Sequence, residues 1–178
     1  MPNPRSASPW GRRSLLSDVR SLVTYRVVGG DLLDQPADAI VNARDRNIIP
    51  WWLLIPAGVA GAIRRQAGTA PFKELAKTGP LPLGAARLTG AGRLPFKGII
   101  HVAGISMWWV SSERSIRDST RNALRVAQAA GIASLAYPII GGGTGGTQVG
   151  RALDWMLQEL EPLDSLVDVT IVSFAGRA

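Results

Sequence analysis

"YPIIGGGTGGTQVG" (137–150) joins the end of an apolar run to the start of an amphipathic one, and five of the six residues from Gly141 to Gly146 are glycine. Upstream, "IASLAYPII" (132–140) reads as a buried strand. Downstream, Val149, Leu153, Met156, Leu157 and Leu160 recur at helical spacing, with Thr147 expected as the N-cap. The stretch is therefore strand, glycine loop, helix start. A helix start carries unpaired amides and the positive end of the helix dipole, and glycine lets an anion approach the backbone. The competing reading is a tight turn serving only close strand–helix packing.

Two familiar phosphate loops fail on their own terms. Gly141 and Gly146 have P-loop spacing, but Thr147-Gln148 stands where Lys-Ser/Thr is needed to reach the terminal phosphates. Gly141, Gly143 and Gly146 fit G-x-G-x-x-G, but that fingerprint needs an acid near the end of the next strand to hold a ribose. Here that strand ends "IVSFAGRA" and supplies none. A third arrangement is a diphosphate held between two such loops. "IPAGVAGAI" (55–63) is the second: small residues leading into a helix that starts near Val59 and stops at Gly68.

The rest of the chain alternates in the same way. "LVTYRVV" (22–28), "ADAIVNA" (37–43), "AARLTGAG" (85–92), "GIIHVAG" (98–104) and "LVDVTIVSF" (166–174) read as strands. Residues 113–130 form the clearest helix: Ile116, Thr120, Ala123, Leu124, Ala127 and Ala130 line one side. Arg114, Arg117, Arg121 and Arg125 line the other, as a solvated face or a phosphate contact. Alternation of strand and helix predicts an α/β class with a mixed, largely parallel sheet.

The chain has 178 residues, 46% of them apolar, which suits one domain with a real core. It has no cysteine, which excludes disulfides, thiolate metal sites and cysteine nucleophiles. No apolar run approaches the ~20 residues of a membrane helix, and a cytoplasmic location fits. Residues 1–21 read as a flexible basic leader, and 22–178 as a single domain. The net charge of +7 suits anionic partners, nucleic acid among them, or a merely solubilising surface. The basic residues do not interleave with aromatics as on a single-strand binding face.

In order and spacing, "GGDLLDQPADAIVNA", "AGVAGAI", "GAARLTGAGRLPFKGIIHVAG" and "SLAYPIIGGGTGG" resemble the macrodomains, a family that binds ADP-ribose. The resemblance implies a three-layer α/β/α fold and binding of ADP-ribose or an ADP-ribosylated macromolecule, with no cofactor and no metal. It assigns Asp31 to the adenine amino group and the Leu32 amide to the ring beside it. Gly58, Val59 and Ala60 fall to one side of the diphosphate. Gly141, Gly142, Gly143, Thr144, Gly145 and Gly146 fall to the other. Asn42 begins the family's Asn-Ala-Ala-Asn segment and either braces the loop or reaches the distal ribose. His101, the single histidine, matches a strand position and is expected to be packed and hydrogen-bonded rather than catalytic.

Three departures shape the functional expectation. Asp45 replaces the second asparagine of that segment; it could bond the distal ribose, or Asn47 could substitute. Ala60 stands where one hydrolytic branch carries an acid. Gly145 stands where many relatives stack an aromatic ring on the distal ribose; Trp51 and Trp52 are expected to pack over the first helix, the alternative being that one of them covers that ribose, and Trp108 and Trp109 pose the same question. Binding of ADP-ribose is thus the first expectation. The alternative is an ADP-ribosyl hydrolase acting on modified protein, nucleic acid or ADP-ribose esters, with Asp45 the one carboxylate to nominate as base.

Overall fold

The computed structural model describes residues 23–46, 58–106, 108–143 and 145–174. Its strands are β1 (Tyr25–Gly29), β2 (Ala39–Arg44), β3 (Ala86–Thr89), β4 (Gly98–Ala103), β5 (Ser134–Pro138) and β6 (Asp168–Ser173). Its helices are α1 (Gly58–Ala67), α2 (Ala70–Ala76), α3 (Glu113–Ala129) and α4 (Val149–Leu160), with a short 3-10 turn at Leu32–Asp34. One sheet runs in the order β1-β6-β5-β2-β4-β3. Every pairing is parallel except β3 with β4.

Strand alternation splits the core into two layers. Val41, Ile100, Val102, Leu135, Tyr137 and Ile171 pack against α3 and α4. Ile40, Ile99, Ala136 and Val172 face the other way, onto Ile63 of α1, Phe72 of α2 and Leu32. The sheet is thus sandwiched between helices, and its central strands β2, β4 and β5 are buried along nearly their whole length because both faces are covered. Among the described residues, no helix is long and apolar enough to cross a membrane.

The expected elements are present, with shorter strands. The glycine-rich ends of 85–92 and 98–104 lie outside β3 and β4, and Ile139 and Ile140 lie beyond β5. Gly68, at φ 80°, does stop α1. Arg93 then caps it: its Nε and Nη2 donate to the Gln66 and Arg65 carbonyls, and its amide donates to that of Ala67. A second helix, α2, follows with Pro71 in its first turn, where the missing N–H costs nothing.

Two expectations are corrected. Thr147 is not the N-cap of α4; Gln148 holds that place without a side-chain bond, and the Thr147 hydroxyl pairs with Ser111 instead. The arginines of α3 do not form one solvated face. Arg117 reaches Gln158 and Glu159, and Arg121 reaches Glu159, so these two knit α3 to α4.

Candidate functional site

All the glycine-rich connections of interest lie at one end of the sheet, past the C-terminal ends of β2, β4, β5 and β6. Parallel strands bring their loops to the same edge, the usual place for a ligand crevice in α/β folds. Gly58 opens α1 with φ 58°, and a Cβ there would meet nothing within 4 Å, so its backbone stands open. The first-turn amides of Gly58, Val59 and Ala60 have no partners within the helix.

The second loop leaves β5 through Ile139 and Ile140. Gly141 takes φ 82°, and a Cβ on it would come within 2.7 Å of Ser111 Oγ and 2.8 Å of Ile116 Cδ1. Gly145 is as tightly packed, its Cβ position 2.7 Å from Ser111 Oγ and 2.9 Å from Gly141 Cα. These two glycines answer to close packing. Gly143 differs: a Cβ would meet nothing within 4 Å, and it faces the cleft. Two amides of the loop are already spent, Gly142 on the Ile139 carbonyl and Gly146 on that of Gly143.

The two loops face each other across one cleft with two chambers. Gly58, Val59, Pro138, Ile139 and Gly143 line both, so the chambers are continuous. The larger, about 240 Å³, is mostly apolar, with Leu32, Val149, Val172 and Phe174 in its lining alongside Gly30 and Ser173. The smaller, about 130 Å³, is closed by Ala43, Ala60, Ile105, Gly141 and Gly145. Such a cleft suits a ligand with a flat apolar ring at one end, a negative centre between the loops and a compact polar group at the other.

A family model for the Macro domain matches residues 41–156. The chain belongs to that family. It is 31% identical over 162 residues to a Macro domain-containing protein of Caldanaerobacter subterraneus, covering 85% of this chain and 89% of that one. It is 37% identical over 128 residues to a protein of Citrobacter rodentium named O-acetyl-ADP-ribose deacetylase, covering 67% and 68% of the two chains. A mutant Oceanobacillus iheyensis macrodomain solved with ADPR superposes with a TM-score of 0.73 at 26% identity, covering 90% of each chain. The fold is the α/β macrodomain fold.

In this macrodomain Asp31 stands between the lining residues Gly30 and Leu32. Its Oδ1 accepts the Leu33 amide at 2.9 Å, the bond that starts the 3-10 turn, which leaves Oδ2 for another donor. Leu32 is buried and supplies the chamber floor.

Asn42 is fully buried beneath α2, away from the cleft lining. Its Nδ2 lies 3.2 Å from His101 Nδ1, directly across the β2–β4 register. The His101 Nε2 lies 3.0 Å from Thr89 Oγ1, and its ring meets Phe72 edge-on at 5.6 Å. Burial, aided by the nearby Arg44 charge, pushes the imidazole pKa down to about 3. His101 is thus a neutral packing residue that joins three strands.

Asp45 follows β2 and is only 5% exposed; its Oδ1 accepts Arg44 Nε at 3.1 Å. It lines neither chamber. Asn47, Trp51, Trp52 and Thr144 lie outside the described residues. Trp108 is 80% exposed and Trp109 46%; neither lines the cleft, although Ile105 just before them does. Among the described residues no group of three or more His, Cys, Asp or Glu gathers to hold a metal ion.

Sequence reasoning missed the apolar chamber. Phe174 and Val172 could have been found from the end of "IVSF", a strand whose partners end at the same edge. Ser111 could not: nothing in "VSSERS" marks which serine caps α3 and which clasps the glycine loop.

Proposed function

We propose that this macrodomain binds ADP-ribose, free or attached to a protein or nucleic acid, along the cleft between its two glycine loops. The observation that carries the reading is the continuity of the two chambers through Gly58, Val59 and Gly143. A diphosphate seated there would meet the first-turn amides of α1 on one side and the Gly143 backbone on the other. Neutral amides and a helix dipole stabilise such an anion without a fixed cation. The adenine would fill the apolar chamber with its amino group toward Asp31 Oδ2, and the distal ribose would enter the smaller chamber. The similarity to a macrodomain solved with ADPR supports ADP-ribose as the ligand. A cytoplasmic protein would meet such ligands.

Calorimetry against ADP-ribose, ADP, AMP and NAD tests this. ADP-ribose and ADP should bind, AMP more weakly for want of the second phosphate. Asp31→Asn should keep the turn-starting acceptor yet weaken ADP-ribose about tenfold, a loss of about 1.4 kcal/mol in a charge-assisted bond. Absence of heat with ADP-ribose at high protein concentration would end the proposal.

Turnover is the second reading, supported by the similarity to the protein named O-acetyl-ADP-ribose deacetylase. Hydrolysis needs a water held at the ester or anomeric carbon and a group to take its proton. The described lining is glycine, aliphatic carbon, Ser173 and Phe174, with Ala60 in the first loop. The substrate's own phosphate would then have to orient that water. Acetate release from O-acetyl-ADP-ribose measures the activity directly.

A further inference from the structure

The charge of the molecule is divided between its two helical layers. From Gly58 to Arg93 the chain carries six basic residues, Arg64, Arg65, Lys73, Lys77, Arg87 and Arg93, against one acid, Glu74. From Glu113 to Ser173, the other layer with its strands, it carries five bases, Arg114, Arg117, Arg121, Arg125 and Arg151, against seven acids, Glu113, Asp118, Asp154, Glu159, Glu161, Asp164 and Asp168. The first stretch forms α1, α2 and the edge strand β3; the second forms α3, β5, α4 and β6. Arg87 pairs across from His101, whose ring packs on Phe72 of α2, so it projects on the α2 side of the sheet. Arg65, Lys73, Lys77, Arg87 and Arg93 are all exposed. The one acid is engaged, accepting the Gly90 amide at 2.9 Å.

We propose that the α1–α2 face, with the adjoining β3 edge, binds the phosphodiester backbone of nucleic acid. A one-sided array of exposed cations steers and holds a polyanion, and the acidic α4 side turns the molecule so that this face leads. An anionic membrane is the other extended polyanion to weigh. Interfacial binding needs apolar side chains to enter the lipid, and neither α1 nor α2 exposes a large one. Among the described residues the face also shows no exposed aromatic for stacking bases, so it reads phosphate and not sequence. Because α1 begins at Gly58, in the wall of the cleft, a strand on this face runs beside that cleft. The inference stands on charge placement and does not depend on what the cleft holds.

The test uses the full chain and a fluorescein-labelled 20-base-pair DNA duplex, with anisotropy read from about 50 to 200 mM salt. The triple variant Arg65→Gln, Lys77→Gln, Arg87→Gln should weaken binding at least about tenfold. It should also lower the log–log salt slope by about 2 to 3, near 0.9 per lost phosphate contact. A second triple, Arg114→Gln, Arg125→Gln, Arg151→Gln, removes the same charge from the other layer and should change affinity less than about twofold. Equal loss in both triples, or no loss in the first, overturns the proposal, since the binding would then belong to net charge or to the N-terminal arginines. Failure of the wild-type chain to bind duplex at the lowest salt also overturns it. So does tighter binding to phosphatidylserine vesicles than to duplex at equal salt. Calorimetry with ADP-ribose on the first triple should match wild type, so a failed cleft and a failed face give separate results.

Discussion

Ser111 holds Gly145 by two hydrogen bonds to the same carbonyl, from its amide at 3.0 Å and from its hydroxyl at 2.8 Å. The hydroxyl oxygen also lies 2.7 Å from Thr147 Oγ1, which can donate to it. Ser111 directly precedes Ser112, the N-cap of α3, whose capping box with Ser115 is complete. Ser115 Oγ in turn donates to the Gly104 carbonyl. The path of the glycine loop is therefore set by α3 and the end of β4 as well as by its own glycines.

Ser111→Ala removes the side-chain half of that clasp and leaves the Thr147 hydroxyl without its partner. The expected cost is about 1–2 kcal/mol of stability, read from urea denaturation. ADP-ribose affinity should fall several-fold with it, since the loop loses its fixed position. Unchanged affinity would mean that the loop is held by its glycine turns alone.

Gly143 and Gly145 should respond oppositely to alanine. At Gly145 the new Cβ meets backbone of Gly141 at 2.9 Å, which has no room to yield. Gly145→Ala should therefore destabilise the fold by about 1–3 kcal/mol. At Gly143 the Cβ meets nothing within 4 Å. Gly143→Ala should melt like wild type but bind ADP-ribose at least several-fold more weakly, because its methyl enters the cleft. Calorimetry and thermal melts on both variants separate a packing glycine from a ligand-facing one.

That contrast also shows where sequence reasoning stopped. The α/β alternation, the two loops and their partnership were legible because strand and helix periods and glycine runs are local signals. Which glycine packs and which faces the cleft depends on Ser111, 34 residues away from Gly145. The role of Asn42 was open between bracing and ribose contact until the β2–β4 register put it opposite His101. The arginine pattern on α3 was correct in period, but Arg117 and Arg121 find their partners on α4. Propensity cannot reveal a partner more than thirty residues downstream.

His101 gives the protein a pH response readable in stability. The unfolded chain takes up a proton on this histidine near its ordinary pKa of 6.5, whereas the folded chain does not until about 3. Stability is thus full above pH 6.5 and declines as pH falls, since the unfolded state binds more protons. The slope approaches about 1.4 kcal/mol per pH unit, so about 2 kcal/mol should be lost between pH 6.5 and 5. Asp38, whose carboxyl is held low by Lys97 and by the Ala133 amide, adds its own loss only below about pH 4. As the chain has one histidine, His101→Gln should flatten the profile from pH 6.5 to 5. Urea midpoints across that range check it; a slope that persists in the variant would count against a neutral buried imidazole.

Arg44 and Asp45 allow the candidate base to be tested apart from the fold. Their side chains are 4% and 5% exposed and bonded to each other, with the Arg44 guanidinium 5.9 Å over the Phe72 ring. The Arg44 Nη2 lies 3.1 Å from Asp45 Oδ1, and Nη1 is buried without a hydrogen-bond partner among the described residues, so Asp45 is the charge that balances this cation. Asp45→Ala alone should cost about 3–5 kcal/mol, because it leaves an uncompensated buried charge. Any loss of activity in that variant is therefore uninformative. Arg44→Met with Asp45→Asn replaces the pair by neutral groups of similar size and should restore most of the lost stability. The double variant is expected to bind ADP-ribose like wild type, and to keep whatever acetate release the wild-type chain shows. Wild-type binding with turnover abolished would instead assign Asp45 to the chemistry, and the ion pair with Arg44 would then be the resting state of a catalytic carboxylate.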